Sequence, residues 1–393
     1  MKAVQKVKVE YPERFRGERK MTGAVLEQAM RDALKKIDQL HEDMQGDFPD
    51  AFSVNGKYGR MKNVDGWESG FWCGMQWLAY EVTGDVKYKE WVESLLETFN
   101  VRIEQKLGVN HHDMGFIYVP SCVAAYKLTG NERAKEAALM AADHLMTRYH
   151  EAGGYIQAWG NVGEMRCLIV DCMNNIPLLY WASEVTGDPK YHKAAEAHAR
   201  TTLEYIIRED GSSYHSYFFE ADGTPVRGVT HQGAADESCW ARGQSWLVSG
   251  LPLTYKYVKD ENFFPLFESV TNYFLNHLPE DYVPYWDLSF GDGSGEERDS
   301  SAGAIAACGI LQMLPLIPDG TPEKEFYINA VDKIMYSLYE NYSTKDAPES
   351  NGLLLHAVYT KPRNIGVDAC NIWGCYYYME ALARMYKGLE AYW

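Results

Sequence analysis

One turn, written three times, constrains this chain more than any other feature. Val82-Thr83-Gly84-Asp85, Leu128-Thr129-Gly130-Asn131 and Val185-Thr186-Gly187-Asp188 each stand between two apolar-periodic stretches. Glycine past the last helical residue accepts the left-handed conformation that closes a helix. The Asp or Asn beside it offers an oxygen to the free N–H groups of the next helix. Lys259-Asp260 and Pro318-Asp319-Gly320 read as degenerate copies. The period, roughly 50–70 residues, is that of a helix hairpin with a long return loop. Helical spacing appears first at Val25, Ala29, Ala33, Ile37 and Leu40, and strand-like alternation is scarce. The expectation is an all-α chain.

Between the tight turns run long connections, around 42–66, 106–113, 150–170, 209–240, 279–300 and 343–372, all at the same end of the hairpins. They collect Trp, Tyr, His, Arg and Asp, the residue types of a binding site. Six hairpins with functional residues at one end predict a closed double ring of helices, an (α/α)6 barrel; an open helical solenoid is the alternative. With 393 residues, 46% of them hydrophobic, the chain can bury a large core. No linker or low-complexity tract divides it, so residues 21–393 are expected to form one domain behind an N-terminal extension, 1–20.

Charge and cysteine pattern exclude several classes. A net charge of −17 disfavours nucleic acid and anionic membranes as partners. No run approaches the ~18 apolar residues of a membrane span, and the N-terminus lacks an apolar signal core. The eight cysteines are scattered without CxxC spacing, as reduced core residues would be. A soluble, unexported, cytoplasmic protein is expected, of undetermined oligomeric state.

Two acids stand out. Asp171 sits in RCLIVDCMNNIPLLYW (166–181), a run of helical length that is otherwise apolar. It reads either as a helix N-cap or as a buried carboxyl whose raised pKa suits a general acid. Asp113, in HHDMGFIY ahead of the apolar stretch 116–128, repeats that setting one hairpin earlier. Neighbouring inner helices would bring the two together, and two acids in one site do not ionise alike. His111 and His112 lack a third ligand at a metal-site spacing, so neither a metal nor any other cofactor is expected. Gly291–Gly295 follows no strand and reads as a flexible loop rather than a phosphate cradle. In RGVTHQGAADESCWARGQSW (227–246), Arg242 offers a planar fork to a carboxylate, and Trp240 and Trp246 offer flat faces to a sugar. Alternatively Arg242 pairs with Asp236 or Glu237 at the surface. Arg298-Asp299-Ser300-Ser301 reads as a structural motif ahead of an Ala-rich helix, 302–311.

The segments GWESGFWCGMQWLAYEVTGD (66–85), NHHDMGFIY (110–118), IQAWG (156–160), LIVDCMNNIPLL (168–179), SSYHSYFF (212–219), GVTHQG (228–233), WARGQSW (240–246), RDSSAGAIAACG (298–309) and NIWGCYYYMEAL (371–382) together resemble the unsaturated glucuronyl hydrolases of glycoside hydrolase family 88. They run in order through nearly the whole chain. The resemblance implies an (α/α)6 barrel that removes a 4,5-unsaturated glucuronic acid from the non-reducing end of lyase-generated oligosaccharides, such as chondroitin or hyaluronan disaccharides. It implies Asp171 as proton donor and Asp113 as its carboxylate partner. Gly228, Thr230, Gln232, Arg242 and Trp246 are the implied substrate contacts, with Trp67 and His215 lining the pocket. Trp240, Tyr359, Thr360 and Arg363 complete the expected substrate-binding set. Family members that act on sulfated glycosaminoglycan fragments share Ser-x-x-Ser-x-Lys after a GLLLHAVY-like stretch, where this chain has Thr360, Arg363 and Ile365. Two other readings are a related unsaturated rhamnogalacturonyl hydrolase acting on pectin fragments, and a non-catalytic helical-repeat interaction protein.

Overall fold

The computed structural model describes residues 4–393. Its inner ring is made of helices that are buried on nearly every side and so read as apolar without a polar stripe. In chain order the helices are α1 (Gly23–Met44), α2 (Ser69–Thr83), α3 (Val86–Glu104), α4 (Met114–Tyr118), α5 (Ala124–Thr129), α6 (Glu132–Met146), α7 (Pro177–Thr186), α8 (Pro189–Tyr205), α9 (Ala241–Val258), α10 (Phe263–Asn276), α11 (Ser300–Met313), α12 (Pro322–Ser337) and α13 (Ile372–Lys387). A π turn at Val119–Val123, holding Pro120, joins α4 to α5 as one bent inner helix. Around the ring α2, α4, α7, α9, α11 and α13 pack in succession, and α13 returns to α2. Outside them lie α3, α6, α8, α10, α12 and α1. This is the (α/α)6 barrel, closed rather than solenoidal. Only five of the six helix pairs are hairpins, because α1 packs against α13 from the opposite end of the chain.

The repeated turn works as its residues dictate. Gly84, Gly130 and Gly187 are left-handed C-caps at φ of 71°, 71° and 74°. Asp85, Asn131 and Asp188 then accept from Lys87 N, Ala134 N and Lys190 N to start the next helix. In the degenerate copy Lys259 takes the left-handed position itself, at φ 54°.

Strands are present after all, confined to the connections: β1 (Phe48–Val54) pairs with β2 (Lys57–Met61), β3 (Tyr149–His150) with β4 (Tyr155–Ile156), and β5 (Cys167–Ile169), β6 (Ser216–Phe219) and β7 (Pro225–Val229) form one antiparallel sheet. The apolar run around Asp171 is therefore not one helix. It is strand β5, a 3-10 turn over Val170–Asn174, and α7. A short apolar run suits a buried strand as well as a helix, and periodicity cannot separate the two.

Three arginines, Arg102 and Arg148 buried and Arg208 half-buried, hold the connections at the cavity end. Arg102 donates to the carbonyls of Asn63, Gly66 and Gly108, Arg148 to those of Gln157, Ala158 and Gly160, and Arg208 to those of Asp236, Glu237 and Ser238. Loop carbonyls have no ladder partners, and a guanidinium satisfies several at once. Of the expected extension, residues 1–3 lie outside the described residues. The remainder runs along α10 and α12, with Val7 N bonded to Ser269 Oγ, Lys20 N and Met21 N to Asp332, and Phe15 buried. All eight cysteines are free and buried. No helix among the described residues is long and apolar enough to cross a membrane.

Candidate active site

At the loop end of the inner ring opens a cavity of about 440 Å³. Asp113 reaches it from the start of α4 and Asp171 from the 3-10 turn between β5 and α7. Asp113 stands at the N-cap of α4 but makes no side-chain cap hydrogen bond, and Asp171 lies inside its 3-10 turn, whose N-cap is Ile169. Close approach of the two segments depends on Gly115, where a Cβ would stand 2.3 Å from Asn175 Cα. Asn175 straps them together. Its Oδ1 accepts from Phe116 N (2.8 Å), and its Nδ2 faces Asp113 Oδ1 and Asp171 O, each at 3.4 Å. Its neighbour Asn174 ties the same turn to α9, donating to Trp246 O (2.9 Å) and accepting from Ser249 Oγ (2.8 Å).

His112 lies between the acids, with Nε2 3.3 Å from Asp113 Oδ1 and 3.3 Å from Asp171 Oδ1. The ring is 1% exposed, and burial takes its pKa down to about 4, so near neutrality it is uncharged. The acids separate as two carboxyls in one site must. Burial, and then the charge of Asp113, push Asp171 well above the ordinary carboxyl value against the opposing pull of Arg242. Burial acts on Asp113 too, but His112, the His111 Nδ1 contact at 2.9 Å and Asn175 outweigh it and hold Asp113 low. Of the two, Asp171 is thus the acid that keeps its proton to higher pH and Asp113 the one that ionises first. Apart from the 3.3 Å contact with His112, Oδ1 of Asp171 has no hydrogen-bond partner among the described residues.

No third ligand follows the histidine pair at a metal-site spacing in sequence, but the fold brings one from another hairpin beside His112. His112 Nε2 and one oxygen of each acid lie within 4.8 Å of one another, a set that also suits a divalent cation. Sequence spacing could not reveal it, because the members come from two hairpins.

Trp67, Asp113, Asp171, His215, Gln232, Trp240, Arg242, Trp246, Tyr359, Thr360 and Arg363 all line the cavity, joined by His112, Trp159, Met165, Ile169, His231 and Ile365. Among these, Trp159 and His231 are visible in the sequence only as unusual loop residues. Met165 and Ile169 carry no signal that separates them from core, and Ile365 stands out only by its place in the Ser-x-x-Ser-x-Lys comparison. Trp67 stacks on Trp373 at 5.0 Å and donates from Nε1 to Tyr359 Oη at 3.2 Å, fixing one aromatic wall. Trp240 packs against His215 at 4.4 Å. Burial takes the His215 ring well below its ordinary pKa, and its Nδ1 accepts from His231 N.

Two expected contacts do not reach the cavity. Gly228 lies in β7 opposite Tyr217, where any Cβ would strike the Tyr214 ring at 2.3 Å. Thr230 spends its groups on the turn, its N–H on Asp236 and its Oγ on Gly233 N. Both shape the turn that presents His231 and Gln232. The surface pairing of Arg242 with Asp236 or Glu237 is also corrected. Arg242 is 2% exposed and paired at 2.8 Å with Asp299, whereas Asp236 faces Arg227.

A closed helical barrel with two carboxyls of unequal pKa in an aromatic cavity fits a glycoside hydrolase of the α/α-barrel class. The chain belongs to glycosyl hydrolase family 88, whose model matches residues 36–388. It is 45% identical to the unsaturated chondroitin disaccharide hydrolase of Streptococcus pneumoniae over the full length of both chains. It is 38% identical to the unsaturated glucuronyl hydrolase of Bacillus sp. strain GL1, covering 93% of this chain and 98% of the other. The crystal structure of the unsaturated glucuronyl hydrolase from Streptococcus agalactiae superposes with a TM-score of 0.97 at 45% identity, over 100% of both chains. A mutant of that enzyme complexed with dGlcA-GalNAc6S superposes at 0.90 with 43% identity, over 100% of this chain and 99% of the other.

Proposed function

We propose that the chain hydrolyses unsaturated glucuronyl oligosaccharides of glycosaminoglycan type, and that residues 21–393 form its single catalytic domain, with 1–20 a docked extension. The observation that carries the mechanism is the close pair of acids, Asp113 buried and Asp171 half-buried, whose surroundings push their pKa values apart. The unsaturated ring is an enol ether whose C4 accepts a proton. Asp171 gives its proton to C4, leaving an oxocarbenium-like cation shared by C5 and the ring oxygen, which ionised Asp113 stabilises. Water adds to C5 and loses a proton to the carboxylate that Asp171 has become. The resulting hemiketal opens, the C5–ring oxygen bond breaks, and the hemiacetal left at C1 releases the second sugar. Proton count is restored at the end of each cycle. One oxygen of each carboxylate lies within 4.8 Å of the other, closer than the about 6.5–9.5 Å that leaves room for the water of an inverting glycosidase.

Trp67, Trp240 and Trp246 supply apolar faces for the sugar, and Arg242 a donor for the uronate. The relatives and the S. agalactiae complex with dGlcA-GalNAc6S support a chondroitin-type disaccharide. Arg363 offers positive charge to the cavity, while Ile365 gives it an apolar edge. Loss of ultraviolet absorbance from the conjugated double bond, on incubation with a lyase-generated unsaturated chondroitin disaccharide, tests the reaction; stable absorbance at high enzyme concentration overturns it. Arg242→Ala should raise KM at least about 10-fold by removing a charge-assisted hydrogen bond, and an unchanged KM would remove Arg242 as the uronate donor.

A further inference from the structure

We propose that Asp299 is the positioning residue for uronate recognition: it occupies one nitrogen of the Arg242 guanidinium, locks that group to the backbone of residues 358–359, and leaves the opposite edge for the substrate carboxylate. The inference rests on the role read above for Arg242.

Donor counting carries it. A guanidinium has five N–H groups. Arg242 Nη1 donates to Asp299 Oδ2 at 2.8 Å and to Val358 O, and Nη2 donates to Tyr359 O at 2.6 Å. No described residue accepts the remaining two, Nε–H and one proton of Nη2. Those lie side by side, the arrangement that grips a carboxylate through both oxygens. Arg242 lines the cavity, so the free edge belongs to the site. The guanidinium is flanked by the rings of Trp240 at 4.5 Å and Trp373 at 5.2 Å, which confine its plane.

Asp299 does more than neutralise this cation. Its side chain is fully buried, and Oδ1 accepts from Ser301 N (3.2 Å), Ser301 Oγ (2.5 Å) and Val358 N (3.4 Å). Val358 is therefore held at both ends, its N–H by Asp299 and its carbonyl by Arg242. The segment behind it brings Tyr359, Thr360 and Arg363 to the cavity wall. One buried carboxylate thus sets the carboxylate fork and the facing wall together. Asparagine in its place presents an N–H to a donor on at least one side, so the fork loses its fixed direction while the acid pair, on other elements, is untouched.

Steady-state kinetics with an unsaturated chondroitin disaccharide test this in Asp299→Asn, Arg242→Ala and the double variant. Asp299→Asn should raise KM about 10-fold with kcat within about 3-fold of the parent, as loss of an oriented charged hydrogen bond predicts. In the Arg242→Ala background the same change should add less than about 2-fold, because it acts through Arg242. A full second increase in the double variant, or an unchanged KM in Asp299→Asn, overturns the proposal. If Asp299→Asn gives no cooperative melt, Ser301→Ala takes its place. Removing one donor to Asp299 should raise KM about 2- to 5-fold, again only when Arg242 is present, and no change overturns the proposal. An unchanged KM in Arg242→Ala removes the recognition role itself; a raised KM there with a parental KM in Asp299→Asn removes only the role of Asp299.

Discussion

Replacing Asp171 by Asn should reduce kcat about 10³-fold or more, and the structure fixes that floor. Once Asp171 cannot donate, Asp113 is the remaining acid of the pair in the cavity, and His112 and His111 hold it below the ordinary carboxyl value. Even at an ordinary pKa of about 3.9, about one Asp113 in 10³ is protonated at pH 7. A donor populated to that extent supports about 10⁻³ of the parental rate before any loss from its poorer placement. The same reasoning predicts the pH response. Residual activity should rise about 10-fold for each unit of acidification from pH 7 to 5, as protonated Asp113 accumulates. The assay is ultraviolet detection of substrate loss at saturating disaccharide, with circular dichroism to confirm the fold. Residual activity above a few per cent, or a residual rate flat with pH, would refute Asp171 as the donor and Asp113 as its ionised partner.

For the parent enzyme, kcat/KM between pH 4 and 9 should be bell-shaped, falling on the alkaline side as Asp171 loses the proton that burial lets it keep, and on the acid side as Asp113 gains one. EDTA should leave the profile unchanged; loss of activity restored by a divalent ion would assign His112, Asp113 and Asp171 to metal binding instead. Asp171→Asn should also raise Tm, with a gain that grows with pH. The folded-state pKa of Asp171 lies above its unfolded value, so its contribution to stability declines as pH rises from the unfolded pKa through the folded one, and Asn cannot ionise. An equal Tm for both proteins at pH 5 and pH 8 would contradict the buried, raised carboxyl. Gly115→Ala should cost at least about 10-fold in kcat because its Cβ must displace Asn175 and separate the two acids. Parental kcat in a folded Gly115→Ala protein would show that the spacing of the acids is not critical.

The sequence by itself determined the helical architecture and the candidate acids. Thr-Gly-Asp turns are local: the left-handed glycine and the capping carboxylate act within a few residues, so their physics is complete in the string. Asp113 and Asp171 stood out because a charge in an apolar run needs a reason wherever it folds. Only the tertiary structure decided which of them has the higher pKa, since that depends on the burial of Asp171, on Asp113 lying beside it, and on Asn175 reaching Asp113 from the next hairpin. It alone closed the ring with α1 against α13, turned 167–169 into a strand, and withdrew Gly228 and Thr230 from the cavity. Arg242 shows the divide most plainly. Its type announced a carboxylate fork, but its partner is Asp299, 57 residues away, and not the acids beside it. Burial is what selects between such partners: a desolvated guanidinium must be satisfied where the fold places it, and no spacing rule records where that is.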